Sequence, residues 1–366
     1  MKPILSWLVL RDEKIMQKVC RLEPEIILEG EDPSRLPLED RKEILRSICE
    51  KIDSNFYNRA IDESSSLQRF ASPDLVEEVK ILFEEHKSSP QVVDYLLRLV
   101  WQGCIHQALP KAMFFALNSK VESFVRVAAV QAVRLLGSKG DFEEIIEAYL
   151  LEEEPHNKNL LTELIYNLDS TDSAVQWIVK ALDNVQILEK YEPMILNYPL
   201  LDFITRTDES ILFQFVKGID QFLRSEPVIA RRDCEISKKY GWLLPISLKA
   251  VEKLVLSKHS DALQPESLFV LSQIPGFEDF SDFGSRSITH DLPNLVPAWQ
   301  ELNHQLFWHE VDDKRKRLAE KQGKFLRSYW QVILFGSYCK FSENDFELII
   351  QDIATRSILD DWLLYH

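Results

Sequence analysis

Glycine is scarce in this chain, at 10 of 366 residues, where an ordinary domain carries about 7%. Hairpin-rich folds and phosphate-cradling loops use glycine for backbone conformations with positive φ. The shortage therefore argues against a sheet protein and against a nucleotide loop, and the pattern GxxxxGK[ST] is missing outright. Cysteine is as thin: Cys20, Cys49, Cys104, Cys234 and Cys339 lie far apart, with no CxxC pair, which removes zinc cages and disulfide frameworks. No run reaches the ~20 apolar residues of a membrane helix, and the opening MKPILSWLVLRDEK is too short and wrongly flanked for a secretory leader. Period-two alternation is rare, Val332–Phe335 being the best strand candidate. The expectation is a cytoplasmic, helical protein with no membrane span, no metal, no cofactor and no catalytic residues.

What is present bounds the answer from the other side. A chain of 366 residues exceeds what one compact core usually holds, so two domains or one elongated array is expected. Hydrophobic residues at 45% and charged residues at 28% are ordinary for a folded protein. The net charge of −16, from 43 basic and 59 acidic residues, repels nucleic acid and anionic membranes unless the basic residues gather on one face.

Helix punctuation is dense. Ser72-Pro73 and Ser89-Pro90 place a hydroxyl before a proline, which suits the first turn of a helix. Leu75, Val76, Val79, Leu82 and Phe83 then follow a 3.6-residue period, as do Val92, Val93, Leu96, Leu97 and Val100. The same grammar recurs at 38–52, 156–168, after Thr171-Asp172, after Asp208, and at 342–356 behind a Ser342/Asp345 capping box. In the first of these, Cys49 shares a stripe with Ile44, Leu45, Ile48 and Ile52 and reads as a small buried hydrophobe. Starts so close together imply short helices joined by tight turns, which make neighbours antiparallel.

VRVAAVQAVRLLG (125–137) puts Val125, Ala128, Ala129, Ala132, Val133 and Leu136 on one face, where small alanines admit a neighbouring helix. GSKG (137–140) reads as a corner: Gly137 for a left-handed helix end, Asp141 to cap the next helix. These residues resemble a HEAT repeat of the short bacterial type, in which VRxxAxxALxxLG precedes GD and a second amphipathic helix. The resemblance covers about 26 residues closely and the flanking hairpins loosely. It implies an all-α, HEAT-like α-solenoid of antiparallel helix hairpins, each unit burying its apolar face on the next.

Two further stretches, LEPEIILEGEDPSRLPLEDR near the start and FWHEV…SYWQ…FSENDFELIIQDI near the end, resemble the helical sensor region of bacterial NACHT-type signal-transducing NTPases. That resemblance implies a sensor or scaffold arm in a phage-defence setting. No nucleotide loop accompanies it here.

Several constellations compete with blander readings. His304, His309 and Glu310 have i to i+5 spacing and no HExxH, so the histidines read as packing residues. Asp282-Phe283-Gly284 lacks every other kinase element. Lys314, Arg315, Lys316 and Arg317 form the one dense basic run, followed by aromatics to Phe341. Such a 314–341 segment could grip single-stranded nucleic acid, dock a protein, or be a solvated face beside an aromatic core. Residues 274–297 are poorest in helical pattern, with Phe277, Phe280 and Phe283 interleaved with acids. They are read as a connector between an array over 1–273 and an aromatic-rich C-terminal helical unit over 298–366. The apolar clusters Ile4, Leu5, Leu8, Val9 and Trp362, Leu363, Leu364, Tyr365 lack the polar outer face of a terminal repeat and are read as partner-binding ends.

The reading is thus a non-catalytic scaffold or sensor arm that binds a protein, either an NTPase subunit or a second copy of itself. Its candidate contact residues are Lys314–Arg317, Phe277, Phe280, Phe283, Trp362 and Leu363. A nucleic-acid sensor using 314–341, and a HEAT-like enzyme of the bilin lyase or DNA glycosylase type, remain as alternatives.

Overall fold

The corner at 137–141 shows how this sequence makes its elements. The helix Ser123–Leu136 stops at Gly137, and Ser138 opens the helix Lys139–Leu150. A reciprocal capping box closes the corner: the Ser138 hydroxyl accepts from the Asp141 amide, and the Asp141 carboxylate accepts from Ser138 N at 2.6 Å. Two details differ from expectation. Gly137 is extended (φ −85°, ψ 178°), not left-handed, and the glycine is needed for space. A Cβ there would lie 2.8 Å from the Val133 carbonyl oxygen and 3.1 Å from the Asp141 carboxylate. The cap is Ser138, with Asp141 as its partner three residues in. The left-handed helix ends occur instead at Cys104 and Lys258, both with φ 51°.

The computed structural model describes residues 2–9, 11–28, 32–54, 64–185, 193–231, 234–277, 291–322 and 339–355. They are all-α apart from one short hairpin. The chain divides into two compact units, Met1–Asn167 and Leu168–His366. The first contains α1 (Lys2–Val9), α2 (Glu13–Leu22), α3 (Glu25–Leu28), α4 (Leu38–Asp53), α5 (Ser64–Phe70), α6 (Val76–Glu85), α7 (Pro90–Gln102), α8 (Leu109–Leu117), α9 (Ser123–Leu136), α10 (Lys139–Leu150) and α11 (Lys158–Asn167). The second contains α12 (Asp172–Asp183), α13 (Pro193–Arg206), α14 (Glu209–Leu223), α15 (Leu244–Leu256), α16 (Pro265–Phe277), α17 (Leu292–Ala298), α18 (Gln300–Gln322) and α19 (Phe346–Thr355).

Within each unit, helices two apart in sequence lie side by side. In the first, α7, α9 and α11 form one row and α8 packs beside α10, with α9 against α8 and α10. In the second, α12, α14, α16 and α18 form one row and α13, α15 and α17 the other. The core between rows is the apolar face read from the sequence. Ile44, Leu45, Ile48 and Cys49 are fully buried, as are Val92, Leu96, Leu97 and Val100, and Ala129, Ala132 and Val133 of α9. Burial, with the nearby carboxylates of Glu78, Glu50, Asp53 and Glu85 adding to it, pushes the Cys49 thiol far up, out of the reactive range.

Polar ties span neighbouring helices at a recurring sequence separation. Arg41 bonds Ser72 and Asp74, Arg46 bonds Glu78, Gln131 donates to Glu163 at 3.2 Å, and Arg134 to Asn167 at 3.0 Å. These separations are 31 to 33 residues, about the length of one two-helix repeat.

The hairpin was not foreseen. β1 (Val228–Arg231) and β2 (Cys234–Ser237) are antiparallel, with Val228 opposite Ser237 and Arg231 opposite Cys234. Val228–Arg231 does not alternate, and Cys234–Ser237 alternates over four residues only, the shortest run that carries the signal. The Glu235 amide donates to Gln273 of α16 at 2.8 Å. The strand expected at 332–335 lies outside the described residues.

Candidate docking groove

The first three helices enclose a groove of about 480 Å³. Leu5 of α1, Ile15, Val19 and Leu22 of α2, and Ile26 of α3 line it. Val19 and Ile26 are buried at its floor, while Leu22 is 62% exposed at its lip. On α1, Ile4 and Trp7 are also exposed, with the Arg11 guanidinium 4.2 Å from the Trp7 ring centre.

The groove stands on anchored helices. Asp12 caps α2, its carboxylate accepting from the Lys14 and Ile15 amides at 2.9 and 3.2 Å. Glu25, 1% exposed, pairs with Lys51 of α4 at 3.0 Å. Cys20 meets the Ser47 hydroxyl at 3.3 Å, and Arg69 of α5 donates to the Leu28 carbonyl at 3.0 Å. The rim carries four charges, Asp12, Lys14, Lys18 and Glu23. The Asp12 charge is taken up by the α2 N-terminus. Lys14 and Lys18 are exposed and have no ion-pair partner among the described residues. They stand four residues apart, on one side of the helix.

A second cluster, missed by sequence reading, lies in the other unit. His304 of α18 is buried with a carboxylate at each ring nitrogen: Asp345 3.2 Å from Nε2 and Asp352 3.5 Å from Nδ1. Trp308 Nε1 donates to Asp352 at 2.7 Å, and Gln300 to Asp345 at 3.0 Å. Ser342 caps Asp345 from backbone and hydroxyl, which holds that carboxyl well below the usual range. Asn303 clasps the Lys340 backbone at 2.9 and 3.1 Å. Packing was expected of His304. It is buried, and it also forms a polar clasp, tying 340–352 to α18. No group of three metal-ligating side chains exists among the described residues.

Few of the residues singled out from sequence have described side chains. Lys314, Arg315, Lys316 and Arg317 fall on α18, where Lys314 is half-buried and Lys316 exposed; the side chains of Arg315 and Arg317 lie outside the described residues, as does that of Phe277 at the end of α16. Phe280, Phe283, Trp362 and Leu363 are outside them altogether. Phe341, from the aromatic run, packs edge-on against His304 and Phe307 at 5.3 and 5.0 Å. Of the apolar N-terminal set, Val9 is buried, Leu5 and Leu8 are half-buried and Ile4 is exposed. No helix among the described residues is long and apolar enough to cross a membrane. No family model, no curated protein and no solved structure matches this chain.

Proposed function

We propose that this chain is a non-catalytic, HEAT-like α-solenoid of antiparallel hairpins that works by binding another protein, as a scaffold or sensor arm of a NACHT-type assembly. Side-by-side packing of alternate helices and polar ties about 32 residues apart support the solenoid part of the reading. The docking part is carried by the α1–α3 groove. Apolar side chains left open between helices, with charged side chains on the rim, are what a helix-in-groove contact uses. A small-molecule site would bring convergent polar groups inside the cavity; here the lining is aliphatic and the charges stand on the rim.

The test is a selection. A display library of short amphipathic helices is panned on the full chain, with counter-selection on Leu22→Asp. Groove binders that lose affinity for the Leu22→Asp protein are expected. A library that returns none, while both proteins melt at the same temperature, refutes the docking role.

A further inference from the structure

We propose that the cavity between α18 and α19 binds a guanidinium group, carried by a small molecule or by an arginine side chain. The site lies in the second unit and does not rest on the docking reading above.

Helical spacing builds the cavity. Gln300, Glu301, His304, Gln305 and Trp308 recur at one-turn intervals along α18 and so share a face. Leu348 and Asp352, four residues apart on α19, line it from the other helix. The space between them is about 350 Å³. Trp308 and His304 are 3% and 8% exposed, and both meet the same oxygen, Asp352 Oδ2, at 2.7 and 3.5 Å. Two buried side chains of α18 thus hold the Asp352 carboxylate in place.

The hydrogen bonds here leave acceptors in surplus. Asp352 Oδ1 receives no donor among the described residues. Neither does the side-chain oxygen of Gln300, whose nitrogen is committed to Asp345 at 3.0 Å. The Glu301 carboxylate has only the Gln305 amide, at 3.5 Å. No lysine or arginine lines the cavity. Its one group able to carry positive charge is His304, already shared between Asp345 and Asp352. The α1–α3 rim mixes lysines with acids, whereas every other charge in this lining is a carboxylate.

A ligand that satisfies such a lining must bring donors and positive charge. No group of three metal-ligating side chains exists among the described residues, so the cation called for is organic. A guanidinium is planar, always charged, and carries five N–H donors in a fixed fork with no acceptor. It can therefore reach acceptors on two helices at once, where an ammonium is a compact, strongly hydrated point charge. Leu348, 39% exposed, gives the alkyl stem behind the guanidinium an apolar ledge.

The experiment follows the Trp308 indole N–H, which donates to Asp352, in 1H–15N spectra of the full chain. Among the signals of eight tryptophans, it is the one lost in Trp308→Phe. Butylguanidinium serves as the free small molecule and a capped Ala-Arg-Ala peptide as the arginine side chain. A capped Ala-citrulline-Ala peptide keeps the shape without the charge, and pentylammonium keeps the charge without the fork. A saturable shift of the Trp308 signal with a guanidinium probe is expected, and none with citrulline. Glu301→Gln, at an exposed position outside the clasp, should weaken binding roughly fivefold, and Glu301→Lys should abolish it. Tighter binding of the peptide assigns the site to a polypeptide's arginine, and tighter binding of butylguanidinium assigns it to a free small molecule. No Trp308 shift with either guanidinium probe overturns the proposal. So does equal affinity for citrulline or pentylammonium, indifference to both Glu301 variants, or a shift shared by all the indole signals.

Discussion

Arg126 of α9 reaches Glu152, just beyond α10, by a double hydrogen bond of 2.5 and 3.2 Å, while its other donors hold the Ala116 carbonyl of α8 at 3.2 Å. One guanidinium, 4% exposed, thus fastens three successive helical elements. A buried ion pair adds little over an apolar substitute, but losing one partner strands the other. Glu152→Ala should therefore cost about 3 kcal/mol, and Arg126→Met/Glu152→Leu should recover most of it. Urea midpoints of the single and double variants check this.

Ala129 is fully buried on the α9 face. Ala129→Leu adds three carbons where neighbouring helices leave no room, and should lower stability by about 1–3 kcal/mol. An unchanged denaturation midpoint would contradict the packing described.

Gly218 of α14 faces Val179 of α12. Helix propensity alone favours Gly218→Ala by about 1 kcal/mol, yet the added Cβ would lie 2.5 Å from a Val179 methyl carbon. Valine is stiff at χ1 and cannot swing aside. Overpacking should win, with a net loss of roughly 1 kcal/mol, and Val179→Ala in the same chain should reverse the sign. Thermal melts of the two-by-two set decide it.

Lys258 holds a left-handed conformation (φ 51°) after α15, and its Cβ crowds the backbone there. Lys258→Gly should raise stability by about 1 kcal/mol. The same change at Lys253, inside the helix, should lower it, which provides the control.

The Asp345 carboxyl is depressed first by the Ser342 backbone amide, then by the Gln300 amide and the Ser342 hydroxyl. A depressed carboxyl contributes stability above its unfolded value of 3.8, and that contribution is lost as pH falls through the folded value. Asp345→Asn should therefore melt earlier than wild type at about pH 7, by the ~1 kcal/mol of a helix cap, and the gap should begin to narrow below 3.8 and close only as pH falls through the folded value. A gap that persists in acid would mean that Asp345 acts by shape alone.

Much of the fold could be read from local pattern, because the relevant forces are local. The stripe Ile44, Leu45, Ile48, Cys49 and the alanine face of α9 were visible as 3.6-residue periods, and both are buried. The Ser342/Asp345 box was visible as a three-residue spacing, and it forms. The hairpin at 228–237 escaped because Val228–Arg231 does not alternate and the alternation of Cys234–Ser237 spans only four residues. The cap at 138 was misassigned to Asp141 because serine and aspartate three apart cap each other, and either reads as the first residue.

The groove divides the same way. The apolar character of Ile4, Leu5 and Leu8 is plain in one dimension, as are the lysines of α2. That Val19 and Ile26 sink to a floor while Leu22 stays at the lip depends on how α1, α2 and α3 meet, which no period encodes. The His304 clasp is further from local reading still, since its partners lie 41 and 48 residues away. Helical periodicity and capping chemistry, being interactions across three or four residues, were set by the sequence alone. Which charges found partners, and which apolar side chains were left without cover, was decided by tertiary packing, because burial belongs to surfaces that only meet when the helices do.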